Sequence, residues 1–177
     1  MAYVESDLSK SALTIIGRVS KAVISRAASF LLLADSQASF QIEGERPPRN
    51  RIERWGRAVM QAGKNPLSVE EITRLHGILI EDNRFVQGGL RTEGVFLGER
   101  TPDAEPLPEF IGARSEDVER LMSSLIEANS IMKDGELDPV LQAAATAFGF
   151  IYVHPFADGN GRLHRCLIHH ALADRQF

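Results

Sequence analysis

No internal disulfide is open to this chain, because Cys166 is the only cysteine in its 177 residues. That suits a reducing compartment, and Cys166 itself reads as a small core residue. Basic charge is not in excess either. The net charge of -4 argues against general nucleic-acid binding, which relies on a basic surface. Long hydrophobic runs are also missing. The longest uncharged stretch, Pro139 to Val153, falls short of the ~20 apolar residues a membrane helix needs and includes Gln142 and Thr146. Met1 to Lys10 holds acids and no apolar centre, so no secretory signal is expected there, and a cytoplasmic location is. No internal repeat or low-complexity tract stands out. What remains is the composition of an ordinary soluble globular protein, 44% apolar and 25% charged. The length suits a single domain over 1–177.

Against that plain background one stretch is unusual: His154-Pro155-Phe156-Ala157-Asp158-Gly159-Asn160-Gly161-Arg162-Leu163-His164-Arg165. It combines an acid/base group, a carboxylate, two glycines and two arginines. Histidine takes a proton near neutral pH. A carboxylate such as Asp158 can hold Mg²⁺, which binds through one or two protein carboxylates and substrate phosphates. Gly159 and Gly161 let backbone N–H groups of the loop, Asn160 among them, approach an anion. A helix starting there turns its positive dipole end to the same anion. Arg162 and Arg165, three apart, share one face of that helix. They fall in its first turn, where the dipole disfavours cations. A broken local rule points to a functional site, and a bound polyphosphate would supply the missing negative charge.

Helical periodicity dominates the rest. Ser9 to Asp35 is predicted to be a helix with Ile16, Val19, Val23, Ala27, Phe30 and Leu31 as a core-facing stripe. Gly44 closes the next helical piece, about 36–44, as its C-cap, ahead of Arg46-Pro47-Pro48-Arg49. Glu43 then sits near a helix C-terminus, where an acid gains from a cationic partner. Asn50 to Gly63 is a second helix with Ile52, Trp55, Val59 and Met60 on one stripe. Ser68 to Glu71 is a capping box opening a third through Asp82, its inner face Ile72, Leu75, Leu79 and His76. Gly88 to Gly98 reads as a small hairpin, the one strand signal, and Arg100 to Pro108 as a loop. Ser115 to Lys133 is a fourth helix with Val118, Leu121, Met122, Leu125 and Ile126 inward. Asp138-Pro139 caps and starts a fifth, apolar on nearly every side and so expected at the centre of the core. It delivers His154 at its C-terminal end. Leu167, Ile168 and Leu172 continue the pattern, with His164, His169 and His170 as helix-face residues.

The motif stretch is similar to the signature of the Fic (filamentation induced by cAMP) family, H-x-F-x-D/E-G-N-G-R-x-x-R, and fills every fixed position. Ser39-Phe40-Gln41-Ile42-Glu43-Gly44 resembles the family's inhibitory motif, S/T-x-x-x-E-G/N, the mark of members with an N-terminal inhibitory helix. Arg91, Val95 and Gly98 resemble the spacing of the family's flap, with Phe96 and Leu97 between them. The resemblance implies an all-α Fic fold, a helical bundle with a small β-hairpin flap. It also implies transfer of AMP from ATP, with Mg²⁺, to a Ser, Thr or Tyr hydroxyl of a protein, this chain included.

In that reading His154 is the general base and Asp158 holds the metal. Gly159, Asn160, Gly161 and Arg162 bind phosphates, and Arg165 binds the γ-phosphate or, when inhibited, Glu43. The flap's edge docks the target by β-augmentation. Other readings stay open: a relative with another phosphate-containing donor, a kinase, or a silent nucleotide-binding interaction module. Kinase-type relatives depart from Gly-Asn-Gly-Arg, which this chain keeps, and intact His154 and Asp158 argue against a silent module. Truncation at the C-terminus and a homo-oligomeric state also stay open.

Overall fold

The computed structural model describes residues 19–80 and 89–175, together with Thr14 and Gly17. In chain order these form α1 (Lys21–Ile42), α2 (Arg49–Val59), α3 (Val69–Leu79), β1 (Phe96–Arg100), β2 (Pro106–Ile111), α4 (Val118–Asp134), α5 (Pro139–Val153) and α6 (Asn160–Asp174). A 3-10 turn, Ser115–Asp117, leads into α4. The fold is all-α with one small antiparallel hairpin, as expected. Among the described residues no helix is long and apolar enough to cross a membrane.

Local chemistry sets the helix starts. Ser68 Oγ accepts from Glu71 N at 3.1 Å, and Asp138 Oδ1 accepts from Val140 N at 2.9 Å with Pro139 in the first turn. These caps satisfy donors that a helix start leaves orphaned. The predicted second and third helices stop earlier than expected, at Val59 and Leu79; Asp82 lies outside the described residues. The core joins Phe40 of α1, Trp55 of α2, Leu75 and Leu79 of α3, Met122 of α4, Phe150 of α5 and Leu163 and Leu167 of α6. Trp55 is 2% exposed, and Trp55→Ala is expected to lower stability by ~3–5 kcal/mol in chemical denaturation.

α5 and α6 pack along one another, with α4 against α5 and the C-terminal part of α1 near α2 and α6. A buried polar knot ties the first group. Gln142 Nε2 donates to Asn129 Oδ1 at 3.0 Å, Thr146 Oγ1 donates to the same oxygen at 3.0 Å, and Arg175 Nη1 donates to Gln142 Oε1 at 3.0 Å. Gln142 and Thr146, which looked out of place in an apolar run, are thereby satisfied.

Three expectations are corrected. The stripe of Val19, Val23, Phe30 and Leu31 does not face the core: these side chains are exposed. Among the described side chains of α1, the buried ones are Ser36, Ser39 and Phe40 in its last two turns, where Ser39 meets Arg165 of α6; Ile16 lies outside the described residues. Nor is α5 buried all round. Phe148 and Tyr152 are 65% and 62% exposed, partly shielded by their own stacking and by Phe110 edge-on to Tyr152. Finally, the hairpin is not confined to residues 88–98. Phe96–Arg100 pairs with Pro106–Ile111, taking in part of the expected loop. Two prolines masked the second strand, yet proline is tolerated on an edge strand.

The hairpin carries a bulge at Leu97/Gly98. Gly98 has φ +143°, and a Cβ there would lie 2.8 Å from Glu109 N. Only glycine allows that approach.

Candidate active site

The α5–α6 connection builds the site. α5 ends at His154, which adopts the left-handed conformation (φ 54°, ψ 62°) while its N–H still donates to Phe150 O at 3.0 Å. A non-glycine residue held there marks a constrained position. Arg91 is what holds it. This guanidinium, 4% exposed, donates from Nε to His154 O at 2.6 Å and from Nη2 to Val153 O at 3.3 Å and to Ala113 O. It thus satisfies carbonyls that the end of α5 leaves orphaned, with a cation where the dipole favours one. Arg91 therefore lies beneath the loop, whereas Val95, Phe96, Leu97 and Gly98 run into the hairpin. The hairpin also brings Phe110 to His154, ring centroids 6.2 Å apart.

The loop is locked from within. Asn160 Nδ2 donates to Phe156 O at 2.7 Å, and Oδ1 accepts from Phe156 N at 3.0 Å. Both polar ends of Asn160 are thus spent on the loop, leaving its backbone for any anion. Phe156 is fully buried and stacks on His76, centroids 4.1 Å apart. His76 Nε2 lies 3.1 Å from the Asp158 carbonyl. A carbonyl only accepts, so that nitrogen carries the proton. His76 thus braces the loop from α3, a role its helical spacing did not reveal. Burial holds its pKa below the usual histidine range, despite the Asp158 carbonyl, so the ring is neutral near pH 7.

Gly159 (φ +83°) is the N-cap of α6. A Cβ there would meet Leu79 Cδ2 at 2.9 Å, so the loop turns tightly against α3. The Asp158 side chain is 56% exposed, with Oδ1 accepting from Gly159 N at 2.6 Å. Arg162 is 1% exposed, its Nη2 3.5 Å from Asp158 Oδ2. Arg165 donates from Nε to Ser39 Oγ at 2.7 Å, and from Nη2 to Ser39 O at 3.1 Å and Glu43 Oε1 at 2.7 Å. A Cβ on Gly161 would strike that same Glu43 carboxylate. Glu43 thus lies over the N-terminal turn of α6, where an anion is favoured. Gly44 (φ +74°) ends α1; a left-handed position there explains why glycine follows Glu43.

Asp158, Arg162 and Arg165 thus gather at the start of α6, with His154 near enough to feel Asp158 and Glu43, and a carboxylate of the same chain occupies the second arginine. Burial, chiefly, holds His154 below its ordinary pKa, and Arg91 adds to the effect; the Ile151 carbonyl, Asp158 and Glu43 pull the other way. The ring is therefore neutral near pH 7 and able to accept a proton. No group of three or more His, Cys, Asp or Glu suited to a metal occurs among the described residues. A cation at Asp158 would need ligands from its substrate.

The fold and this loop together define a Fic-type domain. The chain belongs to the Fic/DOC family, whose model matches residues 66–172. It is 32% identical over 103 residues to the protein adenylyltransferase fic-1 of Caenorhabditis briggsae, covering 58% of this chain and 18% of that protein. The chain spans less than a quarter of the length of the curated relatives it matches. Its fold is that of a Fic-domain-containing signalling protein from Bacteroides thetaiotaomicron (TM-score 0.60, 23% identity, 80% of this chain and 56% of that one). It is also that of IbpAFic2 covalently tethered to Cdc42 (TM-score 0.60, 19% identity, 80% of this chain and 45% of that one).

Proposed function

We propose that this domain transfers AMP from ATP to a hydroxyl side chain of a protein, and that Glu43 restrains it in cis. The observation that carries the reading is the gathering of Asp158, Arg162 and Arg165 at the start of α6, beside His154 at the end of α5, with Glu43 already on Arg165. A curated relative is named a protein adenylyltransferase, and IbpAFic2 has been captured on a protein, Cdc42. Both support a protein acceptor.

His154 accepts the proton of the target hydroxyl as its oxygen attacks the α-phosphorus. The bond to the bridging oxygen of pyrophosphate breaks in line, and pyrophosphate leaves. Backbone N–H groups at the start of α6, with Arg162 and Arg165, bind the phosphates. The exposed Asp158 carboxylate fits Mg²⁺ arriving with the nucleotide, where it would neutralise phosphate charge. The outer edges of the β1–β2 hairpin, which pair with no other strand among the described residues, offer main-chain pairing to an extended target segment. Most of the rate enhancement would come from positioning and charge stabilisation.

ATP labelled at either the α- or the γ-phosphate, incubated with a Glu43→Gly variant, tests this. Label on protein only from the α-position is the expected result. Label only from the γ-position would identify a kinase, and none from either a silent module.

The pH profile follows from His154. Its lowered pKa keeps the imidazole neutral to more acid pH than an unperturbed histidine, ~6.5. The acid limb of kcat/KM for the Glu43→Gly variant is therefore expected below pH ~6.5. Glu43 raises that pKa, so its removal moves the limb further down. A limb at or above that value would show that burial does not lower the His154 pKa in the working site.

A further inference from the structure

The end of α1 sends a second carboxylate to the motif. Glu45 Oε1 lies 2.6 Å from Arg162 Nη1, and Glu45 Oε2 accepts from Arg51 Nη1 at 2.9 Å. The two guanidiniums share Phe40, each 5.1 Å from its ring centroid. Arg51 is anchored in turn, donating from Nη2 to Leu79 O at 3.2 Å. The backbone fixes Glu45 as well. Its N–H donates to Phe40 O at 2.9 Å, and that of Gly44 to Gln41 O at 3.0 Å. This pair of bonds is the Schellman closure of a helix.

The two acids of this turn are held differently. Glu43 meets one arginine at the site, and its side chain is 36% exposed. Glu45 bridges two arginines, one of them buried. Arg51 compensates its charge, so Glu45 need not leave when phosphates arrive. It holds the Nη1 edge of Arg162 as a close ion pair rather than an aligned hydrogen bond, while the Nη2 edge faces Asp158. A guanidinium as buried as Arg162 is costly without such a partner.

We propose that Glu45 is a positioning residue for nucleotide binding: held by Arg51, it grips Arg162 by Nη1 and keeps the Nη2 edge turned toward Asp158 and the incoming phosphates. This rests on the nucleotide reading above. Glu43 and Glu45 then act in opposite senses. The first blocks Arg165 and has to move. The second orients Arg162 and stays, keeping the end of α1 docked while the Glu43 side chain swings away.

The test compares Glu45→Gln, Glu45→Ala and Glu45→Asp in the Glu43→Gly background. Transfer from α-labelled ATP is measured, with binding of Mg²⁺-ATP and of adenosine. Glutamine and alanine are expected to lower kcat/KM by ~10–100-fold, mainly through KM for ATP, and to weaken ATP binding while sparing adenosine, which has no phosphates. Aspartate is expected to restore part of the loss. Glutamine keeps the side chain's shape, which guards against a folding defect. Faster transfer or tighter ATP binding would make Glu45 a second restraint and overturn the proposal. So would no change, or an equal loss for ATP and adenosine. If the Glu43→Gly parent itself binds no ATP, the nucleotide reading fails and this inference with it.

Discussion

His154→Ala is expected to abolish AMP transfer while leaving ATP binding largely intact. The two halves separate because different groups carry them. In the proposed mechanism phosphate binding belongs to the first turn of α6, Arg162 and Arg165. Deprotonation of the target belongs to the imidazole alone. Losing a general base costs ~10²–10⁴-fold, enough to erase a slow auto-modification signal.

The fold should survive the change. The bonds from Arg91 go to the carbonyls of residues 153 and 154 and to Ala113 O, none of which is lost with the imidazole. Alanine pays ~1–2 kcal/mol for the left-handed backbone at this position. Asparagine tolerates that conformation better, so His154→Asn is the second variant, equally without a competent base. Transfer of α-label and calorimetric binding of ATP provide the two readouts. Full transfer by either variant would remove His154 from the base role.

Much of this site was legible because its chemistry is contiguous. His154 to Arg165 is one helix end, one tight turn and one helix start, each ruled by local conformational preference. The helices α4 and α5 were legible for a similar reason: apolar spacing and the Asp138-Pro139 cap act within a few residues. What stayed hidden was non-local. Arg91 lies 63 positions from the carbonyl it holds, and His76 lies 82 from the Asp158 carbonyl. Spacing marks Arg91 as a flap residue and His76 as an inner-face residue of its helix, but neither pattern names the distant carbonyl that each one meets. Glu45 is an intermediate case. Once Gly44 is recognised as the left-handed residue ending α1, the backbone of Glu45 is placed by the Schellman closure, though its arginine partners are not. The exposed stripe of α1 shows the opposite error. Periodicity says that a face is apolar, but not that another element reaches it.

Glu43→Gly is expected to raise auto-modification by ~5-fold or more, rising if the Glu43–Arg165 coupling is strong. Arg165 cannot give its Nη2 edge to a carboxylate and a γ-phosphate at once, since both use the same fork. The pair is partly exposed, side chains 23% and 36%, so solvent and salt weaken it. That places the expected gain toward the low end of ~5–150-fold. It also predicts that the wild-type protein is less restrained at high ionic strength.

Removing Glu43 should not disorder its partner. Arg165 keeps both bonds to Ser39, which leave it oriented for an incoming phosphate. Nor should it unravel α1, because an acid at a helix C-terminus is unfavourable to begin with. Gly44 and Glu45 still close the helix through their backbone bonds. Glu43→Gln separates charge from flexibility: it keeps the length of the side chain, adds no glycine, and is expected to give an intermediate rate. Auto-modification from α-labelled ATP, measured on well-folded variants, decides the matter. A rate at or below that of the wild type would mean that the Glu43–Arg165 pair holds α1 against α6 without restraining the enzyme.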